Sequence, residues 1–257
     1  MSYTDPINFD FTGKIAIVTG AASGIGRLTA ERFAEMGASI VLTDINQAGI
    51  DEVTSGIIAK GGNAIAVAAD IRKFDEVSEI RNKAMETYGR IDFLINCAGG
   101  ASGRINKVKE SFRDWPIEAL DWGIDVNLKG PMYLTRACIG DMIDGGRGGV
   151  ILYLGSAVGS RGGNGGSADY STAKAGLMFG MTKSMAQYGA PYNIRCNSVS
   201  PGPVLTREAM AKTLTLLGRA AEPIEIVNLI SYLCSDQASF ITGSNYAIDA
   251  GRACQHK

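Results

Sequence analysis

The sequence holds one histidine, His256, a single residue from its C-terminal end. That scarcity excludes Ser-His-Asp hydrolysis, Cys-His nucleophile pairs and H-E-x-x-H zinc sites, all of which need a central imidazole. Cysteine is nearly as uninformative: Cys97, Cys138, Cys196, Cys234 and Cys254 are odd in number, widely spaced and without a C-x-x-C pair, so they read as reduced and mostly buried, with no metal site. There is no run of eighteen apolar residues, and the opening Met-Ser-Tyr-Thr-Asp-Pro has no basic-then-apolar segment. The expectation is a soluble, cytoplasmic protein with no membrane partner. Charge of one sign is also lacking. A net charge of −1 gives no electrostatic reason to expect nucleic acid.

What is present is a large apolar fraction, 46%, with 20% charged residues over 257 positions, enough for a sizeable core. Short, nearly all-apolar runs at 14–19, 39–43, 64–69, 91–95, 150–154, 194–199 and 246–248 read as strands covered on both faces, as in a parallel sheet. Between them, amphipathic stretches at 25–36, 47–59, 75–88, 117–143, 170–188 and 224–234 read as helices. Repeated βαβ units predict a single α/β domain over 1–257, a Rossmann-type doubly wound parallel sheet of about seven strands with helices on both faces. Residues 1–12 read as an N-terminal tail. The glycine-rich stretch 159–166 reads as a substrate-side loop and 203–219 as a lid.

After the first strand comes Thr19-Gly20-Ala21-Ala22-Ser23-Gly24-Ile25-Gly26, running straight into a helix. Such a turn lets backbone N–H groups face a pyrophosphate, with Gly24 permitting approach and Gly26 close packing of helix on strand. Asp44, eighteen residues past Gly26 at the end of the second strand, can accept hydrogen bonds from ribose hydroxyls and would repel a 2′-phosphate. Ser23 and Ile45 offer that phosphate no positive charge, although Arg27 is near in sequence. The cofactor predicted is NAD. Asp70 with Ile71, and Asn96-Cys97-Ala98-Gly99, fall at later strand ends, where ligands bind in such sheets.

Tyr170-Ser171-Thr172-Ala173-Lys174 sets a phenol and an ammonium four residues apart, neighbours on one helical face. A phenol of pKa ~10 is a poor base at neutral pH, and a nearby cation favours its ionised form. Ser156 at the end of the fifth strand can hydrogen-bond a substrate oxygen. Asn127 is an amide inside a long helix, where amides are not preferred.

Taken in order, the glycine turn, Asp44, Asn-x-Ala-Gly, Asn127, Ser156, Tyr170 with Lys174, and Pro201-Gly202-Pro203-Val204 make the chain resemble the short-chain dehydrogenase/reductase family over nearly its whole length. The resemblance implies Tyr170 as general acid/base, Lys174 lowering its pKa and binding the nicotinamide ribose, Ser156 positioning the substrate, and Asn127 holding a water in a proton relay. It further implies that Thr19, Gly20, Ser23, Gly24, Ile25, Gly26, Asp44, Asp70, Ile71, Asn96, Ala98 and Gly99 line the adenosine and phosphates. Pro201, Gly202, Val204 and Thr206 would surround the nicotinamide. Two departures stand out: Cys97 follows Asn96, and Ser156 lies fourteen residues before Tyr170, about one more than the family's habit, which leaves Ser160 in play.

The function expected is hydride transfer between NAD and a secondary alcohol or ketone: a sugar, polyol, hydroxy acid or ring alcohol. The alternatives are an NADPH-dependent 3-oxoacyl-carrier ketoreductase and a catalytically inactive NAD-binding module. Substrate-lining candidates are 100–104, Ala157, Val158, 163–167 and 203–210, with Arg104 and Arg161 either binding a carboxylate or phosphate or simply solvated. The family implies a homo-oligomer, tetramer or dimer. Its interface would use helices 117–143 and 170–188, where Leu177, Met178, Phe179, Met181 and Met185 offer more apolar surface than one stripe needs.

Overall fold

Runs that are apolar at every position must be covered on both faces, and the sheet they form is buried that way. The computed structural model describes residues 5–163, 167–212 and 215–254. Its strands are β1 (Ile15–Thr19), β2 (Ser39–Asp44), β3 (Asn63–Ala68), β4 (Phe93–Asn96), β5 (Gly149–Leu154), β6 (Ile194–Pro201) and β7 (Asn245–Ile248). They form one sheet in the order β3-β2-β1-β4-β5-β6-β7. Every neighbouring pair is parallel. The chain winds outward from β1 to β3, then returns to β4 beside β1, so the winding reverses between these two strands. A crevice opens at their carboxyl ends.

Helices α1 (Gly24–Glu35), α2 (Gln47–Ala59) and α3 (Phe74–Tyr88) are the first three crossovers, and Gly89 closes α3 in the left-handed conformation, φ 68°. A short α4 (Ser102–Ile105) follows β4, then a continuous helical run built of α5 (Ile117–Ile124), a π stretch (Asp125–Lys129) and α6 (Gly130–Asp144). After β5 come α7 (Ala157–Arg161) and a second long run, α8 (Ala168–Ala175), π (Gly176–Met181) and α9 (Thr182–Gly189); α10 (Pro223–Cys234) precedes β7. One core packs α1, α2 and α10 on the sheet through Phe33, Ile50, Val53, Ile226 and Ile230. The opposite core packs α3 and α6 through Val77, Ile80, Leu134, Cys138 and Met142.

Two features differ from the sequence expectation. The long helices were expected to be regular, yet each contains a π turn. In the first, the Asn127 side-chain amide donates to Gly123 O at 2.9 Å. In the second, the Thr182 hydroxyl donates to Leu177 O at 2.8 Å. Each bond gives a carbonyl at the widened turn a side-chain donor. The segment expected as a free tail is irregular but anchored: Phe11 is buried, its ring 4.8 Å from Phe33 and 5.1 Å from Phe93. Ile7 N–H donates to Asn228 on α10 at 2.9 Å. Phe9 and Phe11 in a polar stretch carry no periodic signal, but each ring adds large apolar area to an existing cluster.

Candidate active site

The crevice contains a cavity of about 890 Å³ bordered by the ends of β1, β2, β4, β5 and β6. Its cofactor-side wall begins with Gly20, Ser23, Gly24, Ile25 and Gly26. A Cβ on Gly26 would lie 2.2 Å from the Gly20 carbonyl oxygen, so only glycine lets α1 start this close to β1. The Ser23 hydroxyl does not cap α1, and the first turn carries no acid. Its N–H groups and the positive end of the helix are therefore left to an anion in the cavity.

Asp44 closes the same wall, accepting from Ala22 N–H at 3.2 Å and from Asn46 N–H at 3.0 Å. Arg27, the one nearby cation in sequence, is engaged elsewhere, by Glu31 at 3.0 Å and Glu52 at 2.9 Å. Asp70 and Ile71 line the cavity too. The Asp70 carboxylate is held by Arg72 at 2.6 Å, and that hydrogen bond keeps it below the usual carboxylate range. Ala98, Gly99, Pro201, Gly202, Val204 and Thr206 complete the expected lining.

Thr19, Asn96, Asn127 and Lys174 sit behind that wall instead. Thr19 Oγ1 accepts from Ala98 N–H at 2.9 Å, and Asn96 Nδ2 donates to Leu152 O at 3.3 Å. Asn127 clamps Gly100 from both sides, donating to its carbonyl and accepting from its N–H, each at 2.9 Å. Gly99 has φ +152°, and a Cβ there would meet Asn127 Oδ1 at 2.5 Å. Lys174 Nζ donates to Leu154 O at 2.7 Å. These buried groups fix the loops whose surfaces a ligand would touch.

On the substrate side Ser156 caps α7, accepting from Val158 N–H at 3.4 Å, and lines the same cavity as Tyr170, so the longer spacing between them is absorbed by the loop. Of Ser156 and Ser160, Ser156 is the one on the cavity wall. The Lys174 ammonium lies 5.7 Å from the centre of the Tyr170 ring. Burial pushes Lys174 down to about 8. Burial pushes Tyr170 above its ordinary value, and it is opposed first by the Ser156 hydrogen bond, then by the charges of Arg104 and Arg207. The two arginines come from loops far apart in sequence, so their charges beside Tyr170 carry no local sequence signal.

Sequence reading also missed Trp122 and Arg252 on the wall. Trp122 and Val126, four residues apart, both face the cavity, a spacing that could have flagged them. Gly165, Gly166 and His256 lie outside the described residues.

Comparison with known proteins bears on the same elements. Residues 20–253 match the family model described as enoyl-(acyl carrier protein) reductase. The chain is 36% identical over 250 residues to a 3-oxoacyl-[acyl-carrier-protein] reductase of Thermotoga maritima, covering 93% of this chain and 97% of that one. The chain belongs to the short-chain dehydrogenase/reductase family. Its similarity to named members runs across substrates: L-rhamnose 1-dehydrogenase (NAD(P)(+)) of Azotobacter vinelandii is 35% identical over 93% of this chain and 96% of that one. Cyclohexanol dehydrogenase of an Acinetobacter species is 36% identical, over 93% and 94%. A crystal structure of a short-chain type dehydrogenase/reductase from Mycobacterium marinum superposes with a TM-score of 0.88 at 33% identity, over 99% of this chain and 100% of that one. This short-chain dehydrogenase/reductase is accordingly an oxidoreductase of alcohols or ketones, of a family that uses nicotinamide cofactors, NAD or NADP. No helix among its described residues is long and apolar enough to cross a membrane.

Proposed function

We propose that this protein is a cytoplasmic, NAD-dependent dehydrogenase that interconverts a secondary alcohol and its ketone, with Tyr170 as general acid/base. One observation carries the reading: Tyr170 and Ser156 share the wall of the cavity whose other side is the glycine turn with Asp44. Nicotinamide, when bound, supplies or accepts the hydride. The chain's residues do the rest. The α1 N-terminus and Gly24 would hold the pyrophosphate, Asp44 the adenosine ribose, and Pro201, Gly202, Val204 and Thr206 the nicotinamide end. Ser156 would orient the reacting oxygen toward Tyr170, which takes or returns its proton. Lys174, through its ammonium, would anchor the nicotinamide ribose, and Asn127 would hold the loop carrying Gly99 and Gly100.

The preference for NAD is supported by the Asp44 carboxylate and by the pairing of Arg27 with Glu31 and Glu52. Asp44→Ala should weaken NAD binding about tenfold and narrow the gap to NADP, as measured by cofactor Kd. A starting protein that favours NADP would overturn the assignment. The likeness to 3-oxoacyl-carrier reductases favours a second reading, an NADPH-dependent ketoreductase. The two separate in one assay: initial rates with NAD and NADP across polyols, aldoses, hydroxy acids, alicyclic alcohols and a 3-oxoacyl thioester. A module that binds NAD and turns over nothing would mark the site as inactive.

A homodimer or homotetramer belongs to the same proposal. Leu177 and Met178 are core residues, but Phe179 on the same run is 46% exposed and Met132 on α6 is 42% exposed. Sedimentation at micromolar concentration should give a multiple of 27.1 kDa. A monomer that retains full activity would remove the assembly from the proposal.

A further inference from the structure

The charges on the cavity wall are divided by sign. Among the described residues its carboxylates, Asp44 and Asp70, lie at the ends of β2 and β3, the adenosine side, where Arg72 neutralises Asp70. Among the described residues the rest of the wall carries Arg104, Arg161, Arg207 and Arg252, from four separate segments, and no acid.

Two of these arginines form the centre of that positive end. Arg104 stands on α4 directly after the clamped loop; its Nη2 is 2.8 Å from where a Gly100 Cβ would be, so the guanidinium lies against Gly100. Asn127 pins Gly100 with two hydrogen bonds, which ties the base of α4 to the π turn. Arg207 opens a short 3-10 turn (Glu208–Met210) in the segment after β6, and its Nη2 donates to Met210 Sδ at 3.6 Å. No ion pair engages either arginine among the described residues. Burial, and after it the charge of Arg207, depresses Arg104, and the charges of both arginines favour the ionised phenol of Tyr170. Two guanidiniums that line one cavity without an ion pair leave their positive charge to be met by an anionic group bound there. Their planar forks match the oxygens of a carboxylate or phosphate.

We infer that Arg104 and Arg207 form an oxyanion subsite beside Tyr170, and that the substrate is a hydroxy or oxo compound bearing a carboxylate or phosphate. This rests on the dehydrogenase reading above for the reacting alcohol, but the oxyanion site can be tested without turnover.

The test is calorimetric titration of the full-length protein, with and without saturating NADH. The probes are acetoacetate against methyl acetoacetate, and dihydroxyacetone phosphate against dihydroxyacetone. At least one anionic probe should bind about tenfold or more tightly than its neutral counterpart. Which pair shows the difference tells carboxylate from phosphate. The Arg104→Gln/Arg207→Gln double variant should erase that preference and leave the NADH Kd unchanged. The inference is overturned if neither anion binds at millimolar concentration, if the neutral compounds bind equally, or if the double variant keeps the preference. It is also overturned if the variant loses NADH affinity, since the arginines would then serve the cofactor's own phosphates. NAD-dependent turnover of neutral alcohols with no anion preference sinks the inference and spares the dehydrogenase reading. An arginine-dependent anion preference in a protein that transfers no hydride does the reverse.

Discussion

Tyr170→Phe should leave cofactor binding within about twofold and cut turnover by a factor of about 10²–10⁴, the usual worth of a positioned proton donor or acceptor. The substitution removes one oxygen from a ring packed between Ser156 and the Lys174 ammonium, so the loss isolates proton transfer from packing. The pH profile carries the sign. Alcohol oxidation requires the ionised phenol, so its rate should rise with pH through the Tyr170 titration, which burial places above the ordinary tyrosine value. Ketone reduction requires the protonated phenol and should fall over the same range. Initial rates in both directions, for the wild type and the variant, check this. A variant with wild-type rates would assign the acid/base to another group.

Lys174→Met should abolish or nearly abolish turnover while making the folded protein more stable at neutral pH. Lys174 is buried, and burial depresses its ammonium from the ordinary 10.5 to about 8. Keeping it charged below pH 8 costs the fold about 3 kcal/mol, at ~1.4 kcal/mol per unit. Its hydrogen bond to Leu154 O returns about 1 kcal/mol, so a methionine of similar length should gain about 2 kcal/mol. Between pH 8 and 10.5 the unfolded chain binds a proton that the folded chain has released, so wild-type stability from this group rises with pH. Above 10.5 the penalty is gone. Urea denaturation at pH 7 and pH 10 should show the variant's advantage at the first and its disappearance at the second. A less stable variant at pH 7 would mean that the buried ammonium is better compensated than its hydrogen bond indicates. Such a trade, stability given up for a charge beside the reacting phenol, is common at active sites.

Much of the fold was legible because its signals are local. Seven apolar runs, the glycine turn and the amphipathic stretches each declare themselves within a window of a few residues, and the strand and helix bounds differ by at most two or three positions. Anchoring of Phe11 was not legible, since its partners Phe33 and Phe93 lie 22 and 82 residues away. The π turns were equally hidden: Asn127 flagged itself as an odd helix interior, but which carbonyl its amide would take depends on the loop holding Gly100.

The site divides the same way. By itself the sequence determined the chemical identities: a phenol one helical turn from an ammonium, a serine at a strand end, a glycine turn and an acid after the second strand. Spacing within one element or across one turn carries these, because backbone geometry there is nearly fixed. Tertiary structure alone decided what stands behind the wall and what faces the ligand, turning Thr19, Asn96 and Asn127 into supports for loops. It also decided the electrostatics around Tyr170. Arg104 and Arg207 are over a hundred residues apart, and only the winding of a parallel sheet, which gathers the loops after β4 and β6 at one edge, brings their charges to one phenol.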